Sequence, residues 1–184
     1  MQALLNLRNW LATYSLNNYI TSQGKHSIPP TAFSIKNVRT VVVLFDATLP
    51  ANIELIKKLV SYYKEQGKVI KAIGFVNSKE FEPIILPKSE FEFFSLKEVS
   101  FNFTPKTNWH EQFINYNYDL IINADYNNLA PLNYLYAHST AKFKLGAESP
   151  INTKLSNITI NIDTEKTLKY FLRHTDHYLQ LINA

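Results

Sequence analysis

The sequence predicts an α/β chain: a single Rossmann-like, mostly parallel sheet with helices on both faces, and an N-terminal helical appendage. Two observations carry that reading. Short apolar, β-branched runs recur at "TVVVLF" (40–45), "KVIKAIGFV" (68–76) and "DLIINAD" (119–125), continuous as in strands buried on both faces. Stretches of helical period separate them, and strands alternating with helices build a parallel sheet covered on both sides.

Taken in order, residues 3–20 have apolar side chains at Leu4, Leu7, Leu11 and Tyr14, a 3, 4, 3 spacing that Leu5 and Trp10 widen into a helical face. The following "TSQGKHSIPPTAFSIKN" is linker chemistry, with Gly, Ser and a Pro-Pro pair. This places a helix and linker at 1–37 and the Rossmann-like domain at 38–184. After the first strand, Pro50 suits a helix's first turn and Ile53, Ile56, Leu59, Val60 and Tyr63 form its stripe. Gly67 stands where a left-handed residue ends that helix. A loop with Pro83 and Pro87 leads to an aromatic, ragged strand at 89–103. Next come a short helix at 110–118, the 119–125 strand, a helix at 130–141, and strands at 142–147 and 157–163. The closing helix spans 164–182, with Thr164 as N-cap, Glu165 in its first turn, and Leu168, Phe171, Leu172, Tyr178 and Leu181 on its apolar side.

Composition excludes several classes. With 46% hydrophobic and 18% charged residues in 184, the chain has the makings of one packed domain. No run of about 20 apolar residues exists for a membrane span, and the N-terminus lacks the basic region and cleavage site of a leader. The expected location is cytoplasmic. The absence of cysteine removes disulfides, thiolate metal sites and cysteine nucleophiles. The net charge of +4 would suit an acidic partner such as RNA or the ribosome. Its lysines, however, are dispersed: Lys57, Lys58, Lys64, Lys68 and Lys71 lie around the first βαβ unit, and Lys142 and Lys144 alternate along a later strand.

Chemistry-bearing motifs are sparse. The glycines are Gly24, Gly67, Gly74 and Gly146, none of them in the "DATLPAN" turn after the first strand. A dinucleotide fingerprint or P-loop needs glycine there so that backbone N–H groups can approach phosphate. No cofactor is therefore expected. His174 and His177 are an i, i+3 pair without an evident third ligand, so no metal is assigned. His138 and Ser139 are adjacent in sequence, which alone does not make a nucleophile and its base. Asp46 ends the first strand and Asp125 the "DLIINAD" strand. In an open parallel sheet both would lie at the carboxyl edge, where ligands bind. Each acid would equally cap the turn that follows it. The ligand-binding candidates are Asp46, Thr48, Asp125, Asn127, His138 and Ser139, with no catalytic residue assigned. Tyr116, Tyr118, Tyr126, Tyr134 and Tyr136 are expected around the same edge, available for stacking.

The segments "VVVLFDAT…KVIKAIGFVNSKEF", "FEFFSLKEVSFNFTPK", "FINYNYDLIINADYNNLAPLNYLYAHSTAKFKLG" and "YFLRHTDHYLQLI" resemble, in this order, the DUF6913 family of Bacteroidota proteins. The resemblance covers roughly residues 38–182 and is most specific in "YDLIINAD…PLNYLYAHSTAKFKLG". It implies the fold and a cytoplasmic setting, and carries no activity. The same segment is similar to the N-terminal half of heptosyltransferase-type glycosyltransferases, whose donor sugar nucleotide mainly engages the second half. That likeness would make this chain an isolated half, inactive as a transferase alone. The expected function is a non-catalytic binding or protein-interaction module of unknown protein partner; the N-terminal helix is expected to pack back on the sheet, the alternative being that it docks on that partner or on a membrane surface. The alternatives are a degenerate or stand-alone half of a nucleotide-sugar or phosphate-ester enzyme, and an RNA- or ribosome-associated protein.

Overall fold

The computed structural model describes residues 2–23, 33–79 and 89–182, with the backbone alone for residues 2–6, 9 and 23. The loop containing Pro83 and Pro87 and most of the 21–37 linker lie outside the described residues.

Six strands form one sheet: β1 (Thr40–Asp46), β2 (Val69–Val76), β3 (Phe91–Ser95), β4 (Leu120–Asn123), β5 (Phe143–Ala147) and β6 (Ile158–Ile160). Their order is β3-β2-β1-β4-β5-β6, and every pairing is parallel. The expectation of a mostly parallel sheet is thus met by a wholly parallel one. This order reverses direction between β1 and β4, the topological switch point of a Rossmann-type sheet. Val43 of β1, for example, stands between Ala72 and Ile122.

The helices are α1 (Gln2–Gln23), α2 (Pro50–Glu65), α3 (His110–Asn115), α4 (Ala130–His138), α5 (Asn152–Leu155) and α6 (Leu168–Leu181). Alternate β1 residues divide the core into two layers. Val41, Val43 and Phe45 pack with Ile53, Ile56 and Val60 of α2 and with Leu168, Phe171 and Leu179 of α6. Val42 and Leu44 face the other way, among Phe113 of α3 and Leu132, Leu135 and Tyr136 of α4. A strand buried on both sides cannot alternate apolar with polar, hence the unbroken "VVVLF". Gly67 ends α2 at φ +72°, as its position implied.

Two local expectations are corrected, and one short helix was not foreseen. Thr167, not Thr164, caps α6, its hydroxyl accepting the Tyr170 N–H at 3.1 Å; residues 161–167 are held in turns by their own bonds, such as Asp163 N–H to Asn161 Oδ1 at 2.9 Å. Tyr178 and Leu181 are exposed, and the buried side of α6 is Leu168, Phe171, Thr175 and Leu179. Helix α5 has only four residues, too few to show a period.

Helix α1 lies outside the sheet, packed on α4. Its buried side is Ala12, Leu16 and Ile20, not the expected Leu7 and Tyr14, which point away. Leu16 and Ile20 pack on Ala137 and Ile151, and Tyr19 stacks on His138 with ring centroids 3.9 Å apart. Arg8 donates to the carbonyls of Phe101 (3.0 Å) and Ser100 (3.1 Å), and its guanidinium lies 4.4 Å from the centre of the Phe103 ring. No described helix is long and apolar enough to cross a membrane.

At the amino edge of the sheet, Asp119 ties three strands together. Its Oδ2 accepts from the N–H groups of Arg39 (2.9 Å) and Thr40 (3.0 Å), and Oδ1 from Lys142 Nζ at 2.7 Å. Burial pushes this carboxyl up, but Lys142 and the donors of residues 39 and 40 outweigh it and hold it well below the usual carboxylate range. A depressed folded pKa adds stability that is complete above about pH 4 and is lost as pH falls toward the folded value. Asp119→Asn is therefore expected to lower stability by about 1–3 kcal/mol at pH 7, and the deficit should shrink on acidification. Urea denaturation at pH 7 and pH 3 measures both.

Candidate functional site

The sequence-predicted residues divide into two groups in space. Asp46, Thr48, Asp125 and Asn127 meet at the carboxyl edge beside the switch point. His138 and Ser139 lie at the far end of α4, about 12 Å along the axis from its first residue at the helical rise per residue.

At the carboxyl edge each acid holds a turn. Asp46, the last residue of β1, accepts the Thr48 N–H on Oδ1 at 2.9 Å, and Thr48 Oγ1 in turn accepts the Asn77 N–H at 3.0 Å beyond β2. Asn52, in the first turn of α2, donates its amide to the Asp46 carbonyl at 3.0 Å. Asp125 accepts the Asn127 N–H on Oδ1 at 2.9 Å and the Leu129 N–H on Oδ2 at 2.6 Å, so it satisfies the residue that opens α4. Asn127 joins the two acids, because its side-chain amide donates to Asp46 Oδ2 at 2.9 Å. Asn128 beside it sits at φ +58°, a left-handed conformation that Asn tolerates better than most residues.

Behind this pair lies a buried amide cluster that sequence reading missed. Asn123, Asn133 and Asn152 are at most 1% exposed. Asn123 donates to Asn152 Oδ1 at 3.0 Å and to Asn133 Oδ1 at 3.4 Å, while its own Oδ1 accepts the Asp125 N–H at 3.3 Å. Asn133 donates onward to Asn128 Oδ1 at 2.9 Å, and Asn152 to the Ala147 carbonyl at 2.6 Å. A Cβ on Gly146 would come within 2.9 Å of the Asn152 amide carbon, so glycine in β5 makes room for this side chain. The only sequence signal was an Asn inside a strand pattern and another inside a helix, positions where amides are otherwise disfavoured.

The remaining candidates serve packing. His138 is stacked between Tyr19 and Tyr134 (centroids 3.9 and 4.0 Å), and its Nδ1 meets the Tyr134 carbonyl at 2.9 Å. Burial pulls its pKa down. Ser139 is buried, its hydroxyl accepting the Ala141 N–H at 3.2 Å. Lys144, one of the dispersed lysines, turns inward: its Nζ donates to the Tyr136 carbonyl at 2.9 Å at the end of α4, and burial pulls the ammonium down to about 8. The tyrosines scatter. Tyr118 and Tyr136 are core residues, and only Tyr126 stands by the acids.

Of the seven lysines singled out in the sequence, all but Lys58 have a partner among the described residues. Lys57, Lys64 and Lys71 meet Glu54, Glu90 and Glu92, Lys142 meets Asp119, and Lys68 donates to the Ile35 and Val38 carbonyls. A groove of about 510 Å³ runs between α2 and β3, lined by Lys57, Ser61, Lys64, Glu90 and Phe91, toward the opposite edge from the acids. Among the described residues, no three His, Cys, Asp or Glu side chains converge to hold a metal.

The titration of Asp125 is displaced. Burial pushes its carboxyl up to about 6, the N–H groups of Leu129 and Asn127 hold it down, and the Asp46 charge adds a smaller push upward. A raised folded pKa contributes stability that is complete below about pH 4 and is lost as pH rises through about 6. Relative to Asp125→Asn, the wild-type chain should therefore lose up to about 3 kcal/mol between pH 4 and pH 7. Urea midpoints of both proteins across that range test this; a difference independent of pH would contradict it.

The DUF6913 family model, described as a family of unknown function, matches residues 12–182, a span that begins inside α1 and ends with α6. No curated protein and no solved structure matches the chain. With nearly its whole length covered, the chain belongs to the DUF6913 family.

Proposed function

We propose that this chain is a non-catalytic protein-interaction module of a reducing compartment, and that its contact surface is the outward face of α1. The observation that carries this reading is the side of α1 turned away from α4. Leu7, Trp10 and Tyr14 are 49%, 60% and 57% exposed there, at the i, i+3, i+7 spacing of one helical stripe. Exposed aromatics on a helix whose one charge, Arg8, is engaged by the Ser100 and Phe101 carbonyls have the composition of the centre of a protein interface.

The enzyme alternative, a stand-alone half of a nucleotide-sugar or phosphate-ester enzyme, draws support from Asp125, whose raised pKa in a sheet-edge crevice is a feature of catalytic acids. Against it, both oxygens of Asp125 and both of Asp46 are engaged by the chain's own N–H groups. These acids hold loops, as turn-capping carboxylates do. The RNA alternative needs lysines gathered on one face and free to meet phosphate, whereas Lys57, Lys64, Lys71 and Lys142 are paired with acids.

Affinity capture with the tagged full chain from its native lysate, scoring proteins (untagged copies of the chain included) and RNA, separates the three. A protein recovered by the wild type and by Asp125→Asn, and lost with Trp10→Glu, is the expected result. Recovery of RNA in place of protein, or protein recovery that is indifferent to Trp10→Glu, would overturn it.

A further inference from the structure

We propose that His138 makes the docking of α1 on α4 sensitive to pH: the C-terminal half of α1 is held while the imidazole is neutral, and protonation of the ring weakens that contact. The inference concerns how α1 is held and does not depend on what its outward face meets.

The C-terminal half of α1 rests on a small contact. Leu16 and Ile20 pack on Ala137 and Ile151, and Lys154 Nζ donates to Asn17 Oδ1 at 2.8 Å. The Tyr19 ring lies on His138, with centroids 3.9 Å apart and planes 16° from parallel. Tyr134 covers the other side of the imidazole, with centroids 4.0 Å apart. A ring enclosed between two others leaves little room for water to solvate a charge on it. The Nδ1 atom meets the Tyr134 carbonyl at 2.9 Å. A carbonyl only accepts, so the neutral ring carries its hydrogen on Nδ1, and Nε2 takes any further proton.

The surroundings of the ring decide the cost of that proton. Helices α1, α4 and α5 and strand β5 hold no Asp or Glu, so none of them offers a counter-charge. Helix α3 brings His110 close enough for its charge to act on the ring, while the acid of that helix, Glu111, is exposed. Strand β5 brings Lys144, whose Nζ donates to the carbonyls of Tyr136 (2.9 Å) and Ala137 (3.4 Å). A helix C-terminus ordinarily attracts a cation. Here Lys144 already occupies those carbonyls, and an imidazolium at His138 would be a second positive charge beside it. The phenols of Tyr19 and Tyr134 stay neutral, since burial pushes both up. Their ring faces attract a cation, as does the Tyr134 carbonyl, but the balance runs the other way. Burial foremost pulls the His138 pKa down, the Tyr134 carbonyl opposes it, and Lys144 and His110 add to the fall.

A pKa lowered in the docked state means that docking favours the neutral ring. The stability it contributes is complete above about pH 6.5, where the uncovered ring is already neutral, and is lost as pH falls through the docked value. Arg8 lies about 16 Å from Tyr19 along the helix at the rise per residue. It stays charged throughout, so its bonds to the Ser100 and Phe101 carbonyls are indifferent to this titration. Acid therefore loosens α1 from its C-terminal end while Arg8 still anchors the other.

NMR of the full chain from about pH 7.5 to about pH 5 covers the histidine range. The His138 ring should titrate below about 6.5. Over the same interval, amide protection of residues 16–22, corrected for the pH dependence of intrinsic exchange, should fall by at most about tenfold per pH unit, the limit for one proton. Residues 41–45 of β1 should stay protected. His138→Phe keeps a stacked ring that takes no proton, and it should leave the protection of residues 16–22 independent of pH. Tyr19→Ala uncovers the ring and should return its titration toward the ordinary range. Protection of α1 that ignores pH in the wild type overturns the proposal. So does a fall that persists in His138→Phe, or a His138 ring that titrates at or above the ordinary range in the docked chain. Should His138→Phe fail to dock α1 at any pH, the wild type decides alone: ring titration and loss of protection that coincide support the proposal, and a separation of the two overturns it.

Discussion

The amide of Asn127 bonded to Asp46 is the interaction on which the carboxyl edge of this fold depends. A sheet that reverses strand order between β1 and β4 sends the following chains apart, one into α2 and the other into α4. The reversal leaves a crevice, and polar groups lining it must find partners in water, in a ligand or in the protein itself. Here the protein supplies them. Asn127 spans the gap, Asp46 and Asp125 fix the turns on either side, and Asn123, Asn133 and Asn152 pass hydrogen bonds from β4 to α4 and to the end of β5. A buried network of this kind favours one arrangement of its members when every one is satisfied.

The opposite edge is tied by a different device. Asp119 gathers β1, β4 and the approach to β5 through two backbone N–H groups and one lysine. The two acids differ in their electrostatics: Asp119 keeps its charge because Lys142 and the N–H groups of residues 39 and 40 outweigh its burial, whereas burial makes Asp125 resist ionising. The crevice and the α1 surface are joined through α4. Its first turn is held by Asp125, and its last turn carries Ala137 and His138, on which α1 packs. A disturbance of the crevice that shifted α4 would therefore also shift the surface assigned here to partners.

Much of this architecture was legible in the residues. "VVVLF" and "LIIN" read as strands buried on both faces, and Pro50 and Gly67 bracket α2 as their backbone preferences require. Asp46 and Asp125 were placed at the correct edge for the same reason. What the residues did not disclose was burial direction and tertiary partners. Helix α1 is apolar on more than one side, so its period could not say that Ala12, Leu16 and Ile20 face α4 while Leu7 and Tyr14 face out. Asn133 and Asn152 look like surface residues until the fold brings them to Asn123. Lys144 reads as a solvated strand residue until the end of α4 is seen to offer it carbonyls. Each miss is a contact between different elements of the fold, which period and propensity do not encode.

The central claim is that the acids of the switch point are bound to the chain's own loops and serve its structure. A double-mutant cycle on Asp46 and Asn127, each changed to alanine singly and together, tests it by urea denaturation at pH 7. The account predicts that the two losses are non-additive, with a coupling of about 1 kcal/mol. Additive losses, or a gain in stability on removing Asp46, would mean that the two residues do not hold the crevice together.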